Sequence, residues 1–176
     1  MKIHRRIQMG RLSGILIVLL LAGCSTKQAE KPPTTSERMV LGWAVREDFM
    51  QPDYPRFQEY YDAYQVDGNF IQMIQALHQG VDVVVVLGTW CGDSKREVAR
   101  FLKIADLASI PSSRIKFYGV DRTKTSDDGV TEQYDIRLVP TFIFLKHGIE
   151  VGRIVESPKT SMEEDLLVIL ADSQGR

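Results

Sequence analysis

The sequence predicts an α/β domain, and three observations carry that prediction. Val81-Asp-Val-Val-Val-Val-Leu87 runs apolar without alternation, the pattern of a strand buried on both faces of a sheet. A segment with Val98, Phe101, Leu102 and Ala105 on one helical face follows, and then the strand-like Ile115–Val120. Strand, helix, strand in that order makes a right-handed crossover by strong precedent. Finally, Thr141–Leu145 and Ile149–Val155 flank His147-Gly148, which reads as a hairpin. A length of 176 residues favours one domain with appendages, and 44% apolar with 26% charged residues is a globular composition.

The elements are justified in chain order. Residues 1–23 hold Lys2, Arg5, Arg6 and Arg11 and no acid, and the apolar run Leu12–Ala22 follows the basic part. That run is short for a bilayer span and has the length of a signal-peptide core. It leads into Leu21-Ala22-Gly23-Cys24, which resembles a bacterial lipoprotein signal, and the resemblance implies lipidation of Cys24. An uncleaved membrane anchor is the alternative. Several acyl chains on one residue anchor stably, whereas a single chain binds only marginally. Ser25 is not the aspartate that often retains such proteins in the inner membrane, so an outer-membrane anchor facing the periplasm is favoured. Residues 24–38 are polar, carry Pro32-Pro33, and read as a lipidated flexible tether. Beyond residue 23 the chain carries 18 basic and 23 acidic side chains, a net of −5, with no clustered basic face. A nucleic-acid partner is therefore not expected.

Residues 39–79 read as an amino-terminal extension that includes a first helix. Phe57, Tyr60, Tyr61 and Tyr64 fall at i, i+3, i+4 and i+7, one face of a helix. Such an aromatic stripe is read as packing on the core in preference to stacking on a ligand. A second helical stretch, Phe70 to Leu77, stops near Gly80. In the helix after Val81–Leu87, Lys95, Arg96, Arg100 and Lys103 are expected mostly on the polar side. Residues 129–136 suggest a short helix, and Met162, Leu166, Ile169 and Leu170 form a closing amphipathic one.

Two motifs sit on this frame. Trp90-Cys91-Gly92-Asp93-Ser94 joins the buried strand to the helix, and Tyr134-Asp-Ile-Arg-Leu-Val-Pro140-Thr141 precedes the hairpin. Together with the element order, they resemble the thioredoxin family over about residues 80–172. The resemblance implies a thioredoxin-like fold: a central mixed β-sheet flanked by helices, here with an amino-terminal helical extension before a core of residues 80–176. It also implies that Pro140 is the cis-proline facing the active-site cysteine. Val139, Pro140 and Thr141 would then form the substrate rest, where a peptide adds as a strand.

The chemistry can be stated without the family. A thiolate, not a thiol, attacks a disulfide. At a strand–helix junction Cys91 meets unpaired backbone N–H groups and the positive end of the helix dipole, both of which favour the anion. Ser94, one turn on, is expected to hydrogen-bond the sulfur. Lys95 and Arg96 add positive charge, and Asp93 opposes them. A buried inert cysteine is the alternative.

Two departures from the family pattern stand out. Ser94 replaces the second cysteine, and Val85 stands where thioredoxins carry a buried aspartate. With Cys24 lipidated, Cys91 would be the sole free thiol, so no intramolecular disulfide is expected. A neighbouring thiol resolves a mixed disulfide with an effective molarity of up to about 10⁵ M or more. Serine cannot, so fast general reduction is not expected.

Three functional readings follow. The first is a membrane-tethered, extracytoplasmic monothiol protein that exchanges with protein thiols or disulfides. In it Cys91 is the nucleophile, Ser94 its partner, and Trp90, Gly92 and Asp93 complete the turn. The second is a non-catalytic adaptor that binds a partner through the groove near Pro140. The third is a thiol peroxidase that needs an external reductant. No cofactor is implied. His78 and His147 are expected to be solvated or locally hydrogen-bonded, and no zinc constellation is recognisable.

Overall fold

The computed structural model describes residues 38–175. The segments expected to be an export signal (residues 1–23) and, apart from Arg38, a lipidated tether (residues 24–38) lie outside the described residues. The elements are β1 (Gly42–Ala44), α1 (Pro55–Ala63), α2 (Gly68–Leu77), β2 (Val81–Leu87), α3 (Gly92–Leu107), β3 (Ile115–Gly119), α4 (Val130–Gln133), β4 (Thr141–Lys146), β5 (Ile149–Val155) and α5 (Met162–Ser173). The strands form one mixed sheet in the order β1-β3-β2-β4-β5. Only β2 and β3 run parallel; the other neighbours are antiparallel. The fold is thioredoxin-like α/β.

Local signals explain the elements. α1 opens with Pro55 in its first turn, where a missing N–H costs nothing. α2 starts at Asp67, whose side chain accepts from the Asn69 amide, and α5 at Ser161, whose hydroxyl accepts from Glu164. The acids Glu163, Glu164 and Asp165 in the first turn of α5 suit its positive end. The β4–β5 hairpin turns through His147 at φ 52° and Gly148 at φ 79°. Two consecutive positive φ values match the twist of the flanking strands.

The central strand divides its side chains between two cores. Val81, Val83, Val85 and Leu87 face the larger one, with Phe57 of α1, Ile74 of α2, Phe101 of α3, and Met162, Leu166 and Leu170 of α5. Val84 and Val86 face the smaller, with Tyr118, Val120, Val130, Ile136, Val139 and Ile143. The long helices thus share one side of the sheet. The other side is closed by α4 and the loops around it.

Of the aromatic stripe, Phe57, Tyr61 and Tyr64 pack on the larger core as the spacing predicts, and Tyr60 is not among the residues packed there. Phe57 is fully buried, and Tyr61 and Tyr64 are half-buried against the larger core. Their hydroxyls end on acids: Tyr61 donates to Asp106 at 2.6 Å and Tyr64 to buried Glu163 at 2.7 Å. On the edge strand, Leu41, Trp43 and Val45 alternate outward and are exposed. The Trp43 ring meets Tyr118 edge-on at 5.1 Å.

Three expectations need correction. His78 is buried, not solvated, and its Nδ1 has no hydrogen-bond partner among the described residues. It is the C-cap of α2, where the chain turns into β2 and Gln174 reaches over to the Leu77 carbonyl. Lys95 is also buried, beside fully buried Ser94 in the first turn of α3. The short helix expected over residues 129–136 spans only Val130–Gln133.

Candidate functional site

Sheet topology gathers the site at one edge. β2 and β3 are parallel, so their carboxyl ends, Leu87 and Gly119, finish side by side. β4 is antiparallel to β2, so it begins where β2 ends, with Thr141 opposite Val86. β5 ends there too, with Val155 opposite Thr141. Loops 88–91, 120–122, 137–140 and 156–157 therefore converge, and crevices at strand ends are where such sheets place their sites.

The turn after β2 is built from backbone outward. The Cys91 amide donates to the Gly88 carbonyl at 2.8 Å, and the Cys91 carbonyl accepts from Lys95 at 3.1 Å, the first bond of α3. Cys91 is thus the helix N-cap, with extended backbone (φ −85°, ψ 130°) and no side-chain capping bond. Its side chain is left to point outward. Gly88 is required by packing, since a Cβ there would lie 2.6 Å from Cε2 of Trp90.

The half-buried thiol faces the proline loop. Sγ lies 3.4 Å from the Val139 carbonyl oxygen, to which the thiol donates. The Val139–Pro140 peptide bond is cis, the isomer expected from its sequence context. Thr141 Oγ1 donates to the Leu138 carbonyl at 2.7 Å, and the Glu156 amide donates to the Pro140 carbonyl at 2.7 Å. These bonds hold the loop from both sides. Leu138 remains exposed at its rim.

Ser94 does something other than expected. It is fully buried, and its Oγ accepts from the Gly88 amide at 3.1 Å. Among the described residues no hydrogen bond joins it to Cys91. The hydroxyl ties the end of β2 to the first turn of α3 and leaves the sulfur to Val139.

The charges near the turn are largely satisfied by one another. Asp93 pairs with Arg96 at 2.7 Å, and Arg96 also contacts Glu97 at 2.6 Å and Ser157 Oγ at 3.3 Å. Glu97, only 1% exposed, is shared with Arg100 at 3.1 Å. The bond to Glu97, with a smaller one to Asp93, raises the Arg96 pKa, so this guanidinium is permanently charged. Asp93 is thus drawn into a network along α3, and Gly92 contributes an exposed backbone beside the sulfur.

Trp90 walls the other side of the thiol. Its Nε1 donates to the Val120 carbonyl at 2.9 Å, and the Arg122 guanidinium lies over the ring, 4.9 Å from its centroid. Sequence reasoning missed Arg122, because no local pattern links residues 90 and 122; only the parallel pairing of β2 and β3 brings them together. It likewise missed the pairing of buried Glu97 with Arg96 and Arg100, although the i, i+3 spacing of Glu97 and Arg100 was available as a signal.

The arrangement sets the Cys91 sulfur at a helix start, beside the Val139 carbonyl. Among the described residues no group of three His, Cys, Asp or Glu side chains would hold a metal ion. No helix among them is long and apolar enough to cross a membrane.

Comparison with known proteins agrees with the fold. Thioredoxin from Malassezia sympodialis is 31% identical over 101 residues, covering 53% of this chain and 92% of that one. Thioredoxin H9 from Arabidopsis thaliana is 30% identical over 82 residues, 47% of this chain and 54% of that one. The chain therefore spans nearly all of the first relative and about half of the second. Among solved structures, a Pseudomonas aeruginosa protein of unknown function aligns with a TM-score of 0.49 at 16% identity, over 69% of this chain and 82% of that one. The family model described as thioredoxin matches residues 47–167, more than two thirds of the sequence, and the chain belongs to the thioredoxin family.

Proposed function

We propose that the protein carries out thiol–disulfide exchange outside the cytoplasm through the single thiol of Cys91, while a lipid on Cys24 tethers it to an envelope membrane. The observation that carries this reading is the placement of Cys91 Sγ, half-buried and 3.4 Å from the Val139 carbonyl. A substrate disulfide lying along the proline loop would meet the sulfur there. The Cys91 thiolate attacks one sulfur of the disulfide, a new S–S bond forms, and the old one breaks. The electron pair leaves with the departing thiolate, and the Cys91 proton has gone to solvent. Ser94 stands where a resolving thiol would be and is tied to Gly88, so the mixed disulfide waits for an external thiol. Long-lived adducts with envelope proteins are the consequence.

The test is thiol-trapped extracts run without reductant. Bands of Cys91 joined to other proteins should appear, collapse on reduction and vanish in both Cys91→Ala and Cys91→Ser. Free monomer alone, in normal growth and under oxidative stress, would remove the support for exchange and favour the adaptor reading.

A further inference from the structure

We propose that Arg122, stacked on Trp90, is a carboxylate-binding residue that directs Cys91 toward anionic disulfides, peptides with acidic residues beside the cystine among them. The inference rests on the exchange chemistry proposed for Cys91 and names the class of partner that chemistry selects.

The geometry starts from the ring. The Trp90 indole is fixed at its edge by the bond to Val120 and packed against Gly88 behind it. Two residues beyond Val120, the same segment lays Arg122 on the indole at 4.9 Å. A guanidinium held by its flat face keeps its N–H donors free at the edge, a fork that matches a carboxylate. Stacking also holds the side chain in place before a ligand arrives, so less entropy is lost on binding.

Arg122 is exposed and enters no ion pair among the described residues. Two other cations near this rim are committed, Arg96 to Asp93 and Glu97 and Arg137 to Asp135. Asp121 precedes Arg122, but its carboxylate takes the amide and hydroxyl of Thr123 at 2.8 Å and 2.5 Å. Glu156, beyond Pro140, is the acid placed to oppose the preference: its amide is held by the Pro140 carbonyl, and its carboxylate makes no ion pair among the described residues. Arg122 sits on the residue adjoining the nucleophile, Glu156 across the loop. Arg122 is held in place by its stack on Trp90, and its charge sets the preference.

The reaction is the exchange already written, with the anionic disulfide as co-reactant: Cys91–S–S–R forms, R–S–S–R breaks, and R–S⁻ departs. The experiment uses the detergent-solubilised full chain and three aliphatic disulfides of similar size. They are dithiodipropionate (a dianion), bis(2-hydroxyethyl) disulfide (neutral) and cystamine (a dication). The rate of the Cys91 adduct, read by mass, is divided by the rate of the same probe with 2-mercaptoethanol. At low salt the dianion should react about fivefold faster than the neutral probe after this correction, the size of one close charge pair in water. In Arg122→Gln the ratio should fall to about one, whereas Arg122→Lys should retain part of it and Glu156→Gln should increase it. Salt of about 1 M should erase it in the parent, since the screening length is then about 3 Å.

Equal rates, a preference for cystamine, or a dianion preference that persists in Arg122→Gln would overturn the inference while leaving exchange intact. Adducts with none of the three probes would remove the exchange reading, and this inference with it.

Discussion

The hydroxyl of Ser94 and the amide of Gly88 are joined by a buried 3.1 Å hydrogen bond, which clasps the end of β2 to the first turn of α3. The residue at the place of a second thiol is thus a structural fastener for the turn that presents Cys91. It holds the sulfur's supporting loop from below without touching the sulfur.

Ser94→Ala removes the acceptor and leaves the Gly88 amide buried without a partner. An orphaned buried donor costs about 1–3 kcal/mol. Urea unfolding should show a midpoint shift of that size with an unchanged slope. A stability equal to the parent's would mean that the bond contributes nothing to the turn.

The Tyr64–Glu163 pair gives a prediction that depends on pH. Burial, and then the hydrogen bond to Glu163, push the Tyr64 phenol well above its ordinary range. A raised folded pKa means that the unfolded chain loses this proton first. The stabilisation is complete below the unfolded value of about 10 and is lost as pH rises from there toward the folded pKa. Stability should therefore decline above about pH 10. Tyr64→Phe should flatten that decline and lower stability near neutrality by about 1–3 kcal/mol, because Glu163 loses a donor while buried. Equilibrium unfolding of both proteins from pH 7 to 11 makes the comparison, and parallel profiles would refute the assignment.

Much of this architecture was legible in the sequence because its signals are local. Val81–Leu87 has no alternation since both of its faces are covered, and Phe57, Tyr61 and Tyr64 share one side of α1 because 3.6 residues make a turn. His147-Gly148 marked its own turn. What escaped the reading is what sheet order decides. Arg122 reaches Trp90 only because β3 ends beside β2, and Ser94 turns inward because the Gly88 amide needs an acceptor. His78 read as a polar residue at a helix end, yet α5 closes over that end. Lys95 belonged to a polar stripe by spacing and is nonetheless buried, which helical spacing alone does not reveal.

Export and tethering are tested at Cys24. The order basic segment, apolar core, Leu-Ala-Gly-Cys motivates lipidation there. Cys24→Ala should yield uncleaved precursor or soluble protein on fractionation and lose any incorporated radiolabelled fatty acid. Processing and membrane retention like the parent's would rule out a lipid on Cys24.

The last prediction rebuilds a two-thiol site. Residues 91 and 94 are the N-cap and the third residue of one helix, so Ser94→Cys places a second sulfur one turn from the first. Mild oxidation should then form an intramolecular disulfide, seen by mass as the loss of two hydrogens and of both alkylatable thiols. Reduction of a protein disulfide should become faster, because resolution is now internal. The gain should be modest, since no acid lies beneath: Val85 is fully buried, paired with Phe117 and Phe142 on the neighbouring strands. Adding Val85→Asp supplies the acid but inserts a carboxyl into that apolar layer, at a cost of several kcal/mol when ionised. Burial raises the pKa of such a group, so the destabilisation should be smallest near pH 4 and grow above it. Assays at neutral pH therefore need stability measured alongside activity. Two free thiols in oxidised Ser94→Cys would show that the side chains at 91 and 94 do not approach each other. If the disulfide forms but reduction is no faster than in the parent, resolution is not what limits exchange at Cys91.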